Sequence, residues 1–548
     1  MNILVVILVT ILSSFSVVVM SYVAMATPLG PWIEPTVVLC IAIILKLMFW
    51  SGLRSMLIQS DRGLRLRTSA IVTAGSSIGG IMATGMGFSF PTLYFLDPAL
   101  FNSWMQQPLY LAMVVSGLAL AGSLFGFWIA NVLEDQLLIE QRLMFPIGQL
   151  AYRMILAQNQ ARKAAELAVG FAGTILFCVG QYLTLIPRGL VLLSAHSFRL
   201  FKVPLVRFDF FPMYFAIGFV TGHMIALPLL VGTLTKVFVV DFLNHTFFPT
   251  VVAGEFMLAF CSGLIVVSTL VGLSQAPKSF WETIRRLIFS GPFVRSEQLD
   301  NGKTSHQYAL NDWHNYLGLV TAATMIVFFW YFKFSILVLI YLAVFTFICV
   351  YQVVYIAGRI GLAQLGRFAT FVMLPAIFFF SLNVVQIVLI ATFVEIAAGV
   401  ATDTLFGFKL AQLSGVPREA IKRYQILGIL VSVLVIGFIF WALIHKFGLG
   451  SAELFAQRAQ TRALLINITK FNSWAIILGA FYAYLLTLTK VNPMLALSGL
   501  LMPINMSLGL VAGGVGALLV KQKEEWYPFW SGVFAAHSIW MVISALMS

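Results

Sequence analysis

Charge is scarce in this sequence. Asp, Glu, Lys and Arg make up 10% of its 548 residues, against about 25% in a soluble domain. That shortage excludes a soluble enzyme, a disordered chain, a collagen and a coiled coil, none of which could cover so much apolar surface. Cysteine is scarce too. Cys40, Cys178, Cys261 and Cys349 lie far apart in apolar runs and form no CxxC pair. They read as packing residues, not as disulfides or metal ligands. A GxxxxGK[ST] phosphate loop is missing, which argues against ATP-driven transport by this chain alone. HExxH is missing as well, which argues against a zinc protease of the membrane. The seven histidines are dispersed, and no nucleophile–base pair declares itself. The chain therefore reads as not an enzyme, with no cofactor and no resident metal.

What is present is apolar. AVILMFWYC residues make up 60% of the chain, with 49 Phe and 42 Gly. Large side chains suit lipid contact and small ones suit close helix packing. The expected fold class is an all-α polytopic integral membrane protein of about 14–16 transmembrane helices. Apolar runs fall near 3–26, 33–52, 68–94, 108–132, 165–187, 210–239 and 249–274. They resume near 315–333, 335–357, 367–382, 384–404, 425–446, 473–489, 493–520 and 526–547. The first run, Ile3 to Ala26, lacks a basic n-region and reads as a retained helix, not a cleaved signal. Residues 276–312 form the longest polar stretch. They read as a cytoplasmic linker between a first membrane half, 1–275, and a second, 313–548.

The net charge of +13 reads as loop Lys and Arg facing lipid headgroups, not nucleic acid. Arg54, Arg62, Arg65 and Arg67 place one loop inside; Lys409, Arg418, Lys422 and Arg423 place another. The N-terminus is then cytoplasmic. Simple alternation fails at 188–209 and 447–470, which carry basic residues where an outside loop is due. One partial crossing or re-entrant hairpin before each, at 138–160 and 449–468, restores the parity. Such breaks are tolerated only where protein encloses them.

An internal repeat supports two halves. Residues 217–233 align without gaps to 498–514, matching Gly218 to Gly499, Leu227 to Leu508 and Gly232 to Gly513. A fainter match pairs Gly79 with Gly399. Duplicated halves with broken helices between them are a secondary-transporter design. Further Gly and Pro breaks are expected at 75–91, which includes Gly79, Gly80 and Phe90, and at 144–149, with Pro146 and Gln149. Broken backbone there would line a path for a peptide-like or anionic ligand.

Ionisable groups inside the spans are few and costly. Glu255, Glu395 and Asp403 are the expected proton-coupling acids, since a buried carboxyl can load and release a proton near neutrality. His223 titrates in the right range to join them. Glu34, between Trp32 and Pro35, reads as an interfacial helix start.

At GSSIGGIMATGMGFSFPTLYFL (75–96), RLMFPIGQLAYRMI (142–155), GFVTGHMIALPLLVGT (218–233), GVATDTLFGFKLAQLSGVPREAIKRYQILG (399–428) and GLLMPINMSLGLVAGGV (499–515) the chain resembles the oligopeptide transporter family. That family includes the yellow-stripe-like metal-chelate transporters. The segment 531–542 looks like the family's closing helix, with His537 where an acid is often found. The resemblance implies a proton-driven symporter of the bacterial inner membrane, importing small oligopeptides by alternating access. An importer of metal–chelate or siderophore complexes is the alternative. An intramembrane enzyme acting on lipid-linked substrates and a passive channel are the rivals from other classes. The expected path residues are Gly79, Gly80, Phe90, Pro146, Gln149, Arg153, His223, Asn505 and His537. The expected partners are a small-molecule substrate, protons and the bilayer, and a homo-oligomer stays open.

Overall fold

The computed structural model describes residues 3–27, 33–50, 62–157, 161–187, 189–193, 196–197, 202–203, 206–249, 251–274, 312–360, 363, 365–451, 453–467, 472–501 and 504–547. The helices of the first part are α1 (Ile3–Ala26), α2 (Glu34–Trp50), α3 (Arg62–Ser89), α4 (Thr92–Leu96), α5 (Pro98–Met105), α6 (Pro108–Glu134), α7 (Pro146–Ala157) and α8 (Ala161–Tyr182). Two short antiparallel strand pairs follow. β1 (Gly189–Leu193) pairs with β4 (Val206–Asp209), and β2 (His196–Ser197) with β3 (Lys202–Val203). Then come α9 (Pro212–Thr221), α10 (His223–Thr235), α11 (Asp241–Phe247) and α12 (Ala253–Ser274). The linker expected at 276–312 lies outside the described residues apart from Asp312. The chain continues as α13 (Asp312–Tyr331), α14 (Ile336–Ile360), α15 (Leu365–Phe379), α16 (Val384–Ser414), α17 (Arg418–Phe447), α18 (Gln457–Ile466), α19 (Ser473–Leu488), α20 (Pro493–Leu501), α21 (Ile504–Leu519) and α22 (Tyr527–Met547).

Among the described residues eight helical segments are long and apolar enough to cross a bilayer, and six shorter apolar helices stand among them. The protein is an all-α multi-pass membrane protein. Large apolar side chains such as Leu176, Val327 and Leu434 are exposed on its outside, as a lipid-facing surface requires.

Helix α16 is the axis of the structure. Its start is a capping box: Asn383 Oδ1 accepts from Gln386 N at 2.8 Å, and Gln386 Oε1 accepts from Asn383 N at 3.1 Å. Its end is Gly415 in the left-handed conformation, with φ of 64°, a position that favours glycine. Between these caps 31 residues run about 46 Å, and nearly every side chain is buried. Around α16 pack α3, α6 and α17, and α1 closes on α3 and α17. A second group forms from other pairs: α8 with α22, α9 with α21, α10 with α20 and α21, and α12 with α19. Among the described residues α1, α2 and α18 reach both groups, α1 through a contact with α22. Helix α2 touches α3 and α7 on one side and α22 on the other; α18 touches α3 and α4 on one side and α12 on the other.

The two aligned segments meet face to face. A Cβ on Gly218 would strike the carbonyl of Leu510, and one on Gly499 would strike the carbonyl of Leu229. Those contacts are the same contact under the alignment of 217–233 with 498–514. Gly232 against Ala496 and Gly513 against Phe215 form a second such pair. The first segment is interrupted: Gly222, with φ of 73°, separates α9 from α10.

Two expected irregularities resolve differently. The glycines of 75–91 do not break the helix: α3 runs to Ser89, a turn follows at Phe90 and Pro91, and those glycines serve close packing. A Cβ on Gly79 would strike Ser432 Oγ, and one on Gly80 would lie 2.7 Å from Ile33 Cγ2. The break at 144–149 is present. Arg142 and Phe145 take positive φ before α7 opens on Pro146. Helix α18 has 10 residues, about 15 Å, too short for a bilayer core of about 30 Å.

Gly232→Leu or Gly499→Leu should force these helices apart at a cost of roughly 1–3 kcal/mol. Thermal unfolding in detergent checks this, with Gly254→Ala as a neutral control because nothing stands within 4 Å of that Cβ.

Candidate functional site

Two of the expected acids lie on α16, eight residues apart, or about 12 Å along the helix. Each is buried and each is met by a side chain from an element at the seam between the helix groups.

The first is Glu395, fully buried. Arg462, on α18, reaches its Oε1 with Nη2 at 2.7 Å. Ser89, at the end of α3, donates to Glu395 Oε2 and accepts from Arg462 Nη1. Arg462 Nη1 also points at the Phe88 carbonyl at 3.4 Å. One turn earlier on α18, the Arg458 guanidinium lies 4.0 Å from the centre of the Phe88 ring, a cation–π distance. A Cβ on Gly366 of α15 would come 3.2 Å from Arg458 Nη1 and 3.3 Å from Glu395 Oε1. Three helices and a helix terminus thus converge on two guanidiniums and one carboxylate. The backbone of α18 is anchored separately, because Ala456 N donates to Met25 O at 2.6 Å.

The second is Asp403, also buried. Ser77 on α3 donates to its Oδ2 at 2.9 Å. Facing it is the carboxyl of Glu34, the first residue of α2. Glu34 was expected at the interface. It does open a helix, but it is 4% exposed, because α2 enters packed against α3 and α7.

The remaining expected residues scatter. Glu255 is exposed in the first turn of α12, not deep in a span, because that helix starts only at Ala253. Phe90 is wholly buried beside Phe101, with ring centres 6.4 Å apart; it is packing, like Gly79 and Gly80. Pro146 starts α7, Gln149 is half-buried, and Arg153 is exposed. His223 begins α10, and its side chain lies outside the described residues. Asn505 donates to Asp209 at the end of β4. His537 is buried with its ring edge-on to Phe211 at 6.0 Å. Asn505 and His537 therefore stand by neighbouring residues of one segment, away from the acids of α16.

Residues 75–79, Gly-Ser-Ser-Ile-Gly, have the spacing of a hydrolase nucleophile elbow. They lie inside α3 with Ser77 bonded to Asp403, where the strand–turn–helix that exposes such a serine is lacking. Sequence reasoning missed Arg462, Arg458, Glu34 and Ser89 as site residues. The signal for the arginines was their spacing of four, which puts both on one helix face within a segment already marked as re-entrant.

Removing one member of a buried ion pair costs about 3–5 kcal/mol. Arg462→Met should lower stability by that order, and Arg462→Met with Glu395→Leu should recover much of it. Thermal unfolding of the three proteins in lipid nanodiscs checks the coupling.

Two comparisons with known proteins bear on this arrangement. No curated protein matches the chain. A family model does: OPT oligopeptide transporter protein, over residues 249–547, more than half of the chain. The match contains Glu395, Asp403, Arg462, Asn505 and His537, while Glu34, Ser77 and Ser89 lie before it. The helical membrane fold and this match agree, and the chain belongs to the OPT oligopeptide transporter family.

Proposed function

We propose that this transporter is a proton-coupled symporter that imports small oligopeptides or peptide-like compounds by alternating access. The observation that carries the reading is the Glu395–Arg462 pair at 2.7 Å, held on an element that touches both helix groups. Intramembrane charge is costly and marks ion or substrate pathways. A peptide offers one carboxylate and one ammonium. Arg458, Arg462 and Glu395 offer the complementary charges within one buried cluster. A chelate bearing carboxylates would meet the same groups, so a metal–chelate importer is the second outcome of the test.

In this reading the chain divides into halves 1–275 and 313–548 joined by 276–312. The reciprocal glycine contacts of 217–233 and 498–514 support that division. The N-terminus and the basic loops face the cytoplasm, and the membrane is a bacterial inner membrane. The ion cluster of Glu134 with Arg418 at 3.0 Å and Lys422 at 2.8 Å would then tie α6 to α17 on the cytoplasmic side. A closed seam needs Glu395 held by Arg462. Substrate carboxylate competing for Arg462 would free α18 to move.

Uptake into proteoliposomes under an inward proton gradient is the test. A mixed small-peptide pool and ferric chelates are offered separately. Gradient-driven accumulation of peptides is the expected result; accumulation of chelates alone would replace the substrate. Transport that ignores the gradient would overturn symport in favour of a channel. Glu395→Gln should lower uptake about tenfold or more, the scale of one charge-assisted hydrogen bond.

A further inference from the structure

We propose that Glu34 and Asp403 form a one-proton site that latches α2 to the helix core, and that this proton is the one coupled to transport. Only the second half of that statement rests on the symport reading.

The geometry is that of two acids with too few donors. Glu34 is 4% exposed and Asp403 1%, and their carboxyls face each other. Of the four carboxyl oxygens, Asp403 Oδ2 receives the Ser77 hydroxyl. Asp403 Oδ1 has no partner among the described residues, and the Glu34 carboxyl has no side-chain donor there, only the backbone at Glu34 itself. One turn before Ser77, the hydroxyl of Thr73 is also fully buried and without a partner, on the same face of α3. Two carboxylates in contact cannot both stay ionised in a buried site. A proton held between them turns the repulsion into an O–H···O hydrogen bond and supplies the donor the site lacks.

The surrounding ionisable groups are engaged elsewhere. On α3, Arg65 and Arg67 are exposed, as is Arg153 on α7. On α16, Glu395 holds Arg462 and Lys409 bonds Gln412 at 3.1 Å. On α22, His537 faces Phe211. On α14, Tyr351 is met by the amides of Gln136 and Gln141 and stacks on Tyr355. On α6 and α17, Glu134 is paired with Arg418 and Lys422, and Tyr152 on α7, Arg367 on α15, Tyr424 on α17 and the Cys40 thiol of α2 also stand on these elements. None of these is among the groups that act on the two carboxyls, which are each other, Ser77 and the backbone at Glu34.

The location gives the proton a task. Helix α2 touches α3 and α7 on one side and α22 on the other. With the proton bound, Glu34 is tied to Asp403 and α2 stays on the core. On its release, two adjacent anions push α2 away from α16, at the seam between the helix groups. A proton thus controls a contact between parts that alternating access must separate.

The test has two readouts on the full chain in lipid. The first needs no substrate: infrared spectra in nanodiscs from acid to alkaline pH, in water and heavy water. A protonated-carboxyl band that titrates and disappears in both Glu34→Gln and Asp403→Asn is expected. No such band, or one that survives both changes, overturns the proton site. So does a site that responds to sodium at constant pH. The exchanged pair Glu34→Asp with Asp403→Glu should restore the band, which separates loss of the site from misfolding. The second readout is uptake. Wild type should accumulate substrate up to about tenfold per pH unit of gradient for one proton. Glu34→Gln should equilibrate substrate without accumulating it. Full accumulation by Glu34→Gln overturns the coupling role. A titrating band in a wild type that shows no gradient-driven uptake sinks the symport reading and upholds the proton site.

Discussion

A carboxylate inside a membrane protein has no water to fall back on, so its charge must be met by protein or removed by a proton. Helix α16 carries two such groups, Glu395 and Asp403, and both are buried. Much of the surrounding architecture answers that constraint. A short helix, α18, brings Arg462 to the first, and the start of α2 brings Glu34 to the second. The solutions differ in kind. The Glu395 pair is closed by opposite charges, with Arg462 Nη2 2.7 Å from Glu395 Oε1, and a competing anion or a movement would open it. Two carboxyls lack opposite charge, and the proposed proton between them would close that contact, so that one helix would carry a substrate-type and a coupling-type contact.

Both contacts are made by elements that span the two helix groups. The bulk of each group is held differently, by close backbone approach. Gly218, Gly232, Gly499 and Gly513 remove side chains where helices cross, and their contacts repeat in reciprocal order. Apolar surface offers little preference between lipid and another helix, so van der Waals fit at small residues holds such crossings. Charge is reserved for the seam. The packing is rigid where the glycines meet, and the polar contacts sit where relative movement would be useful.

The general fold was legible in the sequence. Low charge and long apolar runs determined an all-α membrane protein, because a continuous apolar run long enough to cross satisfies its backbone within itself only as a helix. The alignment of 217–233 with 498–514 marked segments whose glycines pack against each other in reciprocal order. The parity problem at 449–468 marked a helix, α18, too short to cross. Family membership was readable from ordered motifs.

The candidate site was only half legible. Glu395 and Asp403 stood out as acids in apolar surroundings, and both are buried. Their partners did not stand out. Arg462 looked like a loop charge, and Glu34 like a helix start at the interface, because one-dimensional hydropathy reports the neighbours in the chain and not those in space. Glu255 shows the converse: its flanks are apolar, yet it sits in the first, exposed turn of α12. Gly79 and Gly80 looked like a break and lie inside the continuous helix α3, while Phe90 is buried in the turn that follows it. Sequence by itself determined that a few charges are enclosed by apolar helices. Only the tertiary structure decided which of them face each other, because Glu34 and Asp403 are joined by the crossing of helices and by nothing in their sequence spacing.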